Sequence, residues 1–266
     1  MQFPPIVLHH GLFGGEHRGT RLSPAGFKGV DRELAKLGCP VFLSCVHPTA
    51  GIETRARQLH KWILSLKPKI GPQKIILMAH SLGGLDARYL LAKLDGAEQV
   101  EALVTISTPH RGSPYADWCA ENLGKKLRGF EIFRRFGWDT DAILDLTTDR
   151  CAQFNEKIPN VPGVRYFSIS TSRPIRQMPA WSLHSWTLIH KAEGPNDGLV
   201  SVQSAKWGKH LETWPVDHWH AINHRMSLAA RKDGDISPRY CQVVRDIGGR
   251  KPETRNPKSE SNPKPE

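Results

Sequence analysis

Lys74-Ile75-Ile76-Leu77-Met78-Ala79-His80-Ser81-Leu82-Gly83-Gly84 reads as a buried strand that breaks into a sharp turn with a serine at its tip. The residues that follow, Leu85-Asp86-Ala87-Arg88-Tyr89-Leu90-Leu91, suit a helix. Ala79 and Gly83 flank the serine two positions away on either side, where strand and helix pass so closely that a larger side chain would collide. Such a turn lifts the Ser81 hydroxyl out of the sheet and within reach of a distant base. A serine between small residues also occurs in ordinary strand-to-helix turns, so the reading depends on what accompanies it.

Outward from that turn, short apolar runs alternate with helical patterns. The expected strands are Ile6–His9, Val41–Val46, Lys74–Ala79, Ala102–Ser107, Val164–Ser170 and Leu211–Val216. The expected helices are Ala25–Leu37, Glu53–Leu66, Leu82–Leu94 and Trp219–Ala230. Ala56, Leu59, Ile63 and Leu66 recur at helical spacing, and Ser23-Pro24 supplies a capping hydroxyl followed by proline at a first helical position. Strand–helix alternation of this kind predicts a mostly parallel sheet of about six strands covered by helices on both faces. A chain of 266 residues with 39% apolar content can bury one such core, and one α/β domain over residues 1–250 is expected.

Residues 111–150 interrupt the alternation. Ser113-Pro114 starts a further helix, and Leu123, Leu127, Phe130 and Phe133 recur at helix-like spacing among Lys125, Lys126, Arg128, Arg134 and Arg135. An insertion between two strands suits a lid over a site. With Phe136 and Trp138, its aromatic and basic residues fit contact with an anionic lipid surface, although the same apolar stripe would equally serve a core-facing helix. Residues 251–266 hold no apolar side chain and read as a disordered polar tail.

Composition excludes several classes. No apolar run approaches the roughly 18 residues a membrane span requires. The start, Met1-Gln2-Phe3-Pro4-Pro5, lacks a basic segment and an apolar stretch, which argues against a secretory signal. The net charge is +11, of which +9 lies before Arg250, and no nucleic-acid-binding motif accompanies it. Five scattered cysteines (Cys39, Cys45, Cys119, Cys151, Cys241), without a CxxC pair, suit packed thiols in a reducing compartment. The expected location is therefore intracellular: cytoplasmic, in an organelle, or peripheral on a membrane or lipid surface.

A serine hydroxyl needs a base to take its proton and an acid to orient that base. In a doubly wound sheet these partners lie on loops at the carboxyl ends of later strands, in the order serine, acid, histidine. The acid is expected in Gly194-Pro195-Asn196-Asp197-Gly198-Leu199-Val200, at Asp197. Of the late histidines His210, His218, His220 and His224, His218 directly follows the last strand and is the expected base. Asp217 adjoins it, but neighbouring side chains rarely face one another. The developing oxyanion needs two N–H donors, expected from Leu82 and from Leu12 in the loop His9-His10-Gly11-Leu12-Phe13-Gly14-Gly15.

Five motifs then stand in order: His10-Gly11-Leu12-Phe13-Gly14, Ala79-His80-Ser81-Leu82-Gly83-Gly84, Thr108-Pro109-His110-Arg111-Gly112-Ser113, Asn196-Asp197-Gly198-Leu199-Val200 and His218-Trp219-His220-Ala221-Ile222-Asn223. Over roughly residues 5–230 the chain resembles the α/β-hydrolase lipases, in particular bacterial true lipases and fungal triacylglycerol lipases. The resemblance implies an α/β-hydrolase fold, a lipid ester substrate, Ser81 as nucleophile, Asp197 as orienting acid and His218 as base. It implies Leu12 and Leu82 as oxyanion donors. One position departs: bacterial lipases carry a calcium-binding aspartate two residues after the catalytic histidine, and here that residue is His220, a poor calcium ligand. Neither structural calcium nor any cofactor is expected. A phospholipase or transacylase on the same fold and an inactive hydrolase-fold binding module are the alternatives.

Overall fold

A computed structural model of the chain describes residues 3–14, 26–125 and 141–248. Six strands form one sheet: β1 (Ile6–His9), β2 (Val41–Leu43), β3 (Ile75–His80), β4 (Val100–Ile106), β5 (Arg165–Thr171) and β6 (Lys209–Trp214). Their order is β2-β1-β3-β4-β5-β6, and every neighbouring pair is parallel. All six lie at the expected positions, each within a few residues of the expected ends. The principal helices are α1 (Val30–Ala35), α2 (Ile52–Ser65), α3 (Leu82–Lys93), α4 (Pro114–Lys125), α5 (Thr148–Lys157), α6 (Leu183–Glu193), α7 (Leu228–Asp233) and α8 (Ser237–Gly248).

The two-residue period of a strand sends alternate side chains to opposite faces, and both faces are apolar here. Ile6, Leu8, Ile76, Met78 and Val104 pack with Val30 and Leu34 of α1 and with Tyr240, Val243 and Val244 of α8. Val7, Ile75, Leu77 and Leu103 point the other way, against Ala56, Leu59 and Ile63 of α2 and Ala87, Leu90 and Leu91 of α3. Burial on both faces explains why these strands read as continuous apolar runs rather than alternating ones.

Strand order reverses between β1 and β3. The chain runs from β1 outward to β2, then returns to lay β3 on the other side of β1. Loops leaving the carboxyl ends of β1 and β3 diverge at such a point and open a crevice. The loops after β5 and β6 reach the same edge.

Two helices differ from expectation. The expected helix Trp219–Ala230 is a 3₁₀ turn, His220–Ile222, followed by α7. Asn223 ends the turn in the left-handed region (φ 66°), and its amide donates to the Lys28 carbonyl and to Asp235 Oδ1. That local bonding competes successfully with helix continuation. The described part of the expected helix Ala25–Leu37 is the shorter α1, because Gly29 at φ 77° and Phe27 at φ 57° break regular helix before Val30. Helices α5, α6 and α8 had no counterpart in the sequence reading. Within the insertion between β4 and β5 the structure describes α4, a turn at Asp141–Leu144 and α5. The aromatic and basic lid residues from Lys126 to Trp138, the side chain of Lys125 and the tail 251–266 lie outside the described residues.

Candidate active site

Ser81 stands between β3 and α3 with φ 55° and ψ −133°. The turn is fastened on both sides: the Ser81 N–H donates to the Ile106 carbonyl at 2.9 Å, and Thr108 Oγ1 donates to the Ser81 carbonyl at 2.8 Å. Gly83 explains the small residue required two positions on. A Cβ there would lie 2.7 Å from the His10 carbonyl oxygen, which is backbone and has no means of giving way.

His218 Nε2 lies 3.0 Å from Ser81 Oγ, and its Nδ1 lies 2.9 Å from Asp197 Oδ2. The carboxylate accepts only, so Nδ1 carries the proton and Nε2 offers its lone pair to the serine hydroxyl. The Asp197 carboxylate is buried and fully bonded. Oδ2 also accepts from Thr171 Oγ1 at 2.5 Å, while Oδ1 accepts from the N–H groups of Leu199 (3.0 Å) and Val200 (2.8 Å). Burial alone would raise its pKa. The electrostatic interaction with the His218 ring and the hydrogen bonds from His218, Thr171 and Leu199 outweigh burial and hold it below the ordinary carboxylate value.

Thr171 spends its proton on Asp197, so it accepts from Ser107 Oγ at 2.5 Å, which makes a buried hydroxyl relay behind the acid. His80 donates Nε2–H to the His218 carbonyl at 3.1 Å, and its ring centroid lies 4.6 Å from that of His218. Burial and the neighbouring His218 push the His80 pKa well below the ordinary histidine value, which keeps its ring neutral. The His218 N–H donates to the Asp197 carbonyl at 3.0 Å, tying base loop to acid loop. Thr171, Ser107 and His80 were missed by sequence reasoning. Only His80 carried a signal, as the residue preceding the elbow serine.

Leu12 lies in the loop leaving β1, whose Gly11 abuts the serine: a Cβ on Gly11 would stand 2.7 Å from Ser81 Cβ. Two neighbouring N–H groups in that loop are occupied, Phe13 by the Pro48 carbonyl at 3.0 Å and Gly14 by the Gly11 carbonyl at 3.3 Å. The Leu12 N–H has no acceptor among the described residues. Leu82 opens α3, and N–H groups in a first helical turn have no intrahelical acceptor. Both expected donors are therefore open. Asp217, by contrast, faces away from His218, toward Arg173 and the His220 N–H.

The loop from β1 is held from beneath by Arg55 of α2. Its Nη2 donates to the carbonyl of His10 (2.7 Å), its Nη1 to that of His47 (2.5 Å), and its Nε to Asp86 Oδ2 of α3 (2.8 Å). His9 donates to the same carboxylate oxygen at 2.9 Å, and all three side chains are buried.

A cavity of about 320 Å³ opens over Ser81 and His218. Leu12, Phe13, Tyr115, Leu146, Trp181 and Trp219 are among its lining residues, so an apolar chain would meet few polar groups there. Among the described residues, no group of three or more His, Cys, Asp or Glu side chains is placed to hold a metal ion. The arrangement suits acyl transfer from an ester through a covalent serine intermediate.

A six-stranded parallel sheet with a serine elbow, an acid after β5 and a histidine after β6 defines an α/β-hydrolase. Comparison with known proteins agrees. The PGAP1-like alpha/beta domain family matches residues 56–144. Triacylglycerol lipase 2 of Saccharomyces cerevisiae is 35% identical over 211 residues, covering 75% of this chain; the chain spans 63% of that relative's length. A triacylglycerol lipase of Pseudomonas fragi is 29% identical over 271 residues, covering 86% of this chain and 90% of its own. A metagenomic carboxyl esterase shares the fold with a TM-score of 0.73 at 19% identity, over 92% of this chain and 76% of its own. The chain has the α/β-hydrolase fold, and its similarity in sequence is to proteins named triacylglycerol lipase.

Proposed function

We propose that this protein is a lipase, a carboxylic ester hydrolase that cleaves acyl esters of lipids, with triacylglycerols as the expected substrates. The observation that carries the reading is the unbroken hydrogen-bond chain from Ser81 through His218 to Asp197, opening onto an apolar cavity. His218 Nε2 accepts the Ser81 proton as Oγ attacks the ester carbonyl, and Asp197 holds the imidazolium that results. The N–H groups of Leu12 and Leu82 receive the oxyanion, each worth about 3–4 kcal/mol of transition-state stabilisation. His218 returns the proton to the departing alcohol, and a water activated in the same way releases the fatty acid.

The relatives named triacylglycerol lipase support the substrate class. The insertion between β4 and β5 is proposed as a lid whose basic and aromatic residues meet an anionic lipid surface. Five free thiols support a reducing, intracellular compartment, and no described helix is long and apolar enough to cross a membrane.

Hydrolysis of p-nitrophenyl esters from butyrate to palmitate and of emulsified triolein, by the wild type and by Ser81→Ala, tests the reading. Substitution is expected to lower kcat by about 10⁴-fold or more, and wild-type activity is expected to survive EDTA. Full activity in Ser81→Ala would reject the nucleophile, and activity confined to the butyrate would reject a lipase in favour of a short-chain esterase.

A further inference from the structure

Arg173 lies two residues beyond β5, and its side chain is completely buried. Its backbone touches the acid side of the site: the N–H donates to the carbonyl of Asn196, next to Asp197, at 3.1 Å. Its carbonyl accepts from Trp186 Nε1 of α6 at 2.8 Å. Its guanidinium reaches the base side. Nη2 has three acceptors sharing its two protons: the Pro215 carbonyl (3.1 Å), His220 Nδ1 (3.3 Å) and Asp233 Oδ2 at the end of α7 (2.5 Å). Nε stands 3.8 Å from Asp217 Oδ2, a charge contact rather than a hydrogen bond.

One residue thus grips the base loop at positions 215, 217 and 220, on both sides of His218. The groups around it are disposed to receive a cation. His220 Nε2 donates to the Gly234 carbonyl at 2.9 Å, which leaves the lone pair of Nδ1 aimed at the guanidinium. Asp217 Oδ1 accepts the His220 N–H at 3.0 Å, which closes the turn under the histidine. All of the Arg173 side chain's hydrogen-bond contacts leave one nitrogen, Nη2, while Nε and Nη1 have no hydrogen-bond partner among the described residues, so the guanidinium serves here as a buried cation whose rigid plane fixes the direction of Nη2.

We propose that Arg173 is a positioning residue for catalysis: a fixed internal cation that clamps the loop of His218 to the loop of Asp197 and so sets the Ser81–His218–Asp197 geometry. The inference rests on the proposed triad. It predicts loss in the chemical step, because misplacing a catalytic group by about 1 Å costs on the order of 100-fold while leaving substrate binding largely intact.

The test compares Arg173→Met, Arg173→Lys and Asp233→Asn with the wild type and Ser81→Ala. The readouts are kcat and KM on p-nitrophenyl butyrate, the rate of Ser81 labelling by a fluorophosphonate, and thermal unfolding. Arg173→Met is expected to lose kcat and labelling rate by at least about 30-fold, with KM within about twofold. Arg173→Lys is expected to recover part of that loss, and Asp233→Asn, which removes the half-exposed outer partner, to lose about three- to tenfold. A folded Arg173→Met with wild-type kcat would overturn the clamp, as would a rise in KM alone. If Arg173→Met does not fold, Arg173→Lys and Asp233→Asn decide, and wild-type kcat in both overturns it. Inactive Ser81→Ala beside an unimpaired Arg173→Met would reject the clamp alone, whereas active Ser81→Ala would reject the triad beneath it.

Discussion

Thr171 shows how much of the site depends on single hydroxyl groups. Its proton is committed to Asp197 Oδ2, and Ser107 supplies the proton it accepts in turn. Thr171→Val removes a donor from a buried carboxylate without changing the shape much, so Asp197 is left with one fewer bond and a freer torsion. We expect kcat on a soluble ester to fall about tenfold and Thr171→Ser to restore most of it, since a positioned hydrogen bond to a charged group is worth about 1.5–3 kcal/mol. Equal loss in both variants would place the effect in packing instead. No sequence motif announced this role. Ser81, Asp197 and His218 sit in loops whose glycines and turn residues have to be there for local steric reasons, so their candidacy could be read along the chain, and the fold brings the three side chains together. Thr171 is 26 residues from the carboxylate it serves, and Arg173 acts across loops that meet only in the folded molecule. Their residue types carry no local trace of those contacts.

At the scale of elements, α2 and α3 are joined by the Arg55–Asp86 pair directly beneath the loop that carries Leu12. Both side chains are wholly buried, at 2.8 Å. Removing one member strands the other's charge in the interior, which costs about 3–5 kcal/mol, whereas replacing both by apolar residues often costs little. Asp86→Leu alone is therefore expected to destabilise by about that amount in urea unfolding. The double variant Arg55→Met/Asp86→Leu is expected to regain much of the stability but not the activity, because the carbonyls of His10 and His47 lose their donor. Additive losses in the double-mutant cycle would sink the coupling. The elements themselves were largely legible: six strands, α2, α3 and the start of α4 follow from apolar spacing and from one proline. The region after His218 was not. Asn223 bonds to Lys28 and Asp235 across the fold, and a helical pattern in sequence gives no warning of a partner nearly 200 residues away.

For the whole molecule, three buried histidines govern the response to acid. His9, His80 and His110 are all held below the ordinary value of 6.5, first by burial. His110 illustrates the reason: Arg88 donates to its Nδ1 and its Nε2 meets Thr105, so the ring is built in as the neutral form, with Arg88 and Arg111 opposing any added charge. The unfolded chain takes up these protons near pH 6.5 and the folded one does not. Stability is then complete above about pH 6.5 and falls as the pH drops below it, by about 1.4 kcal/mol per pH unit for each proton taken up only on unfolding. Asp197 adds a further loss at lower pH: its depressed value contributes stability above about 3.8 that disappears as the pH falls through the folded-state value. Urea unfolding at about pH 7, 6 and 5 measures this directly. Stability that holds level or rises on acidification would contradict the neutral assignment of the three rings.

The backbone at Ser81 bears on all three scales. At φ 55° and ψ −133° it occupies a conformation in which only glycine is at ease, and two strands, a threonine hydroxyl and the carbonyl of Ile106 hold it there. The resting protein carries that tension at all times, with or without substrate, as the condition for keeping one hydroxyl aimed at one imidazole. Folding and catalysis therefore pull in opposite directions at a single residue. A glycine in its place would suit the chain better and leave nothing to attack an ester.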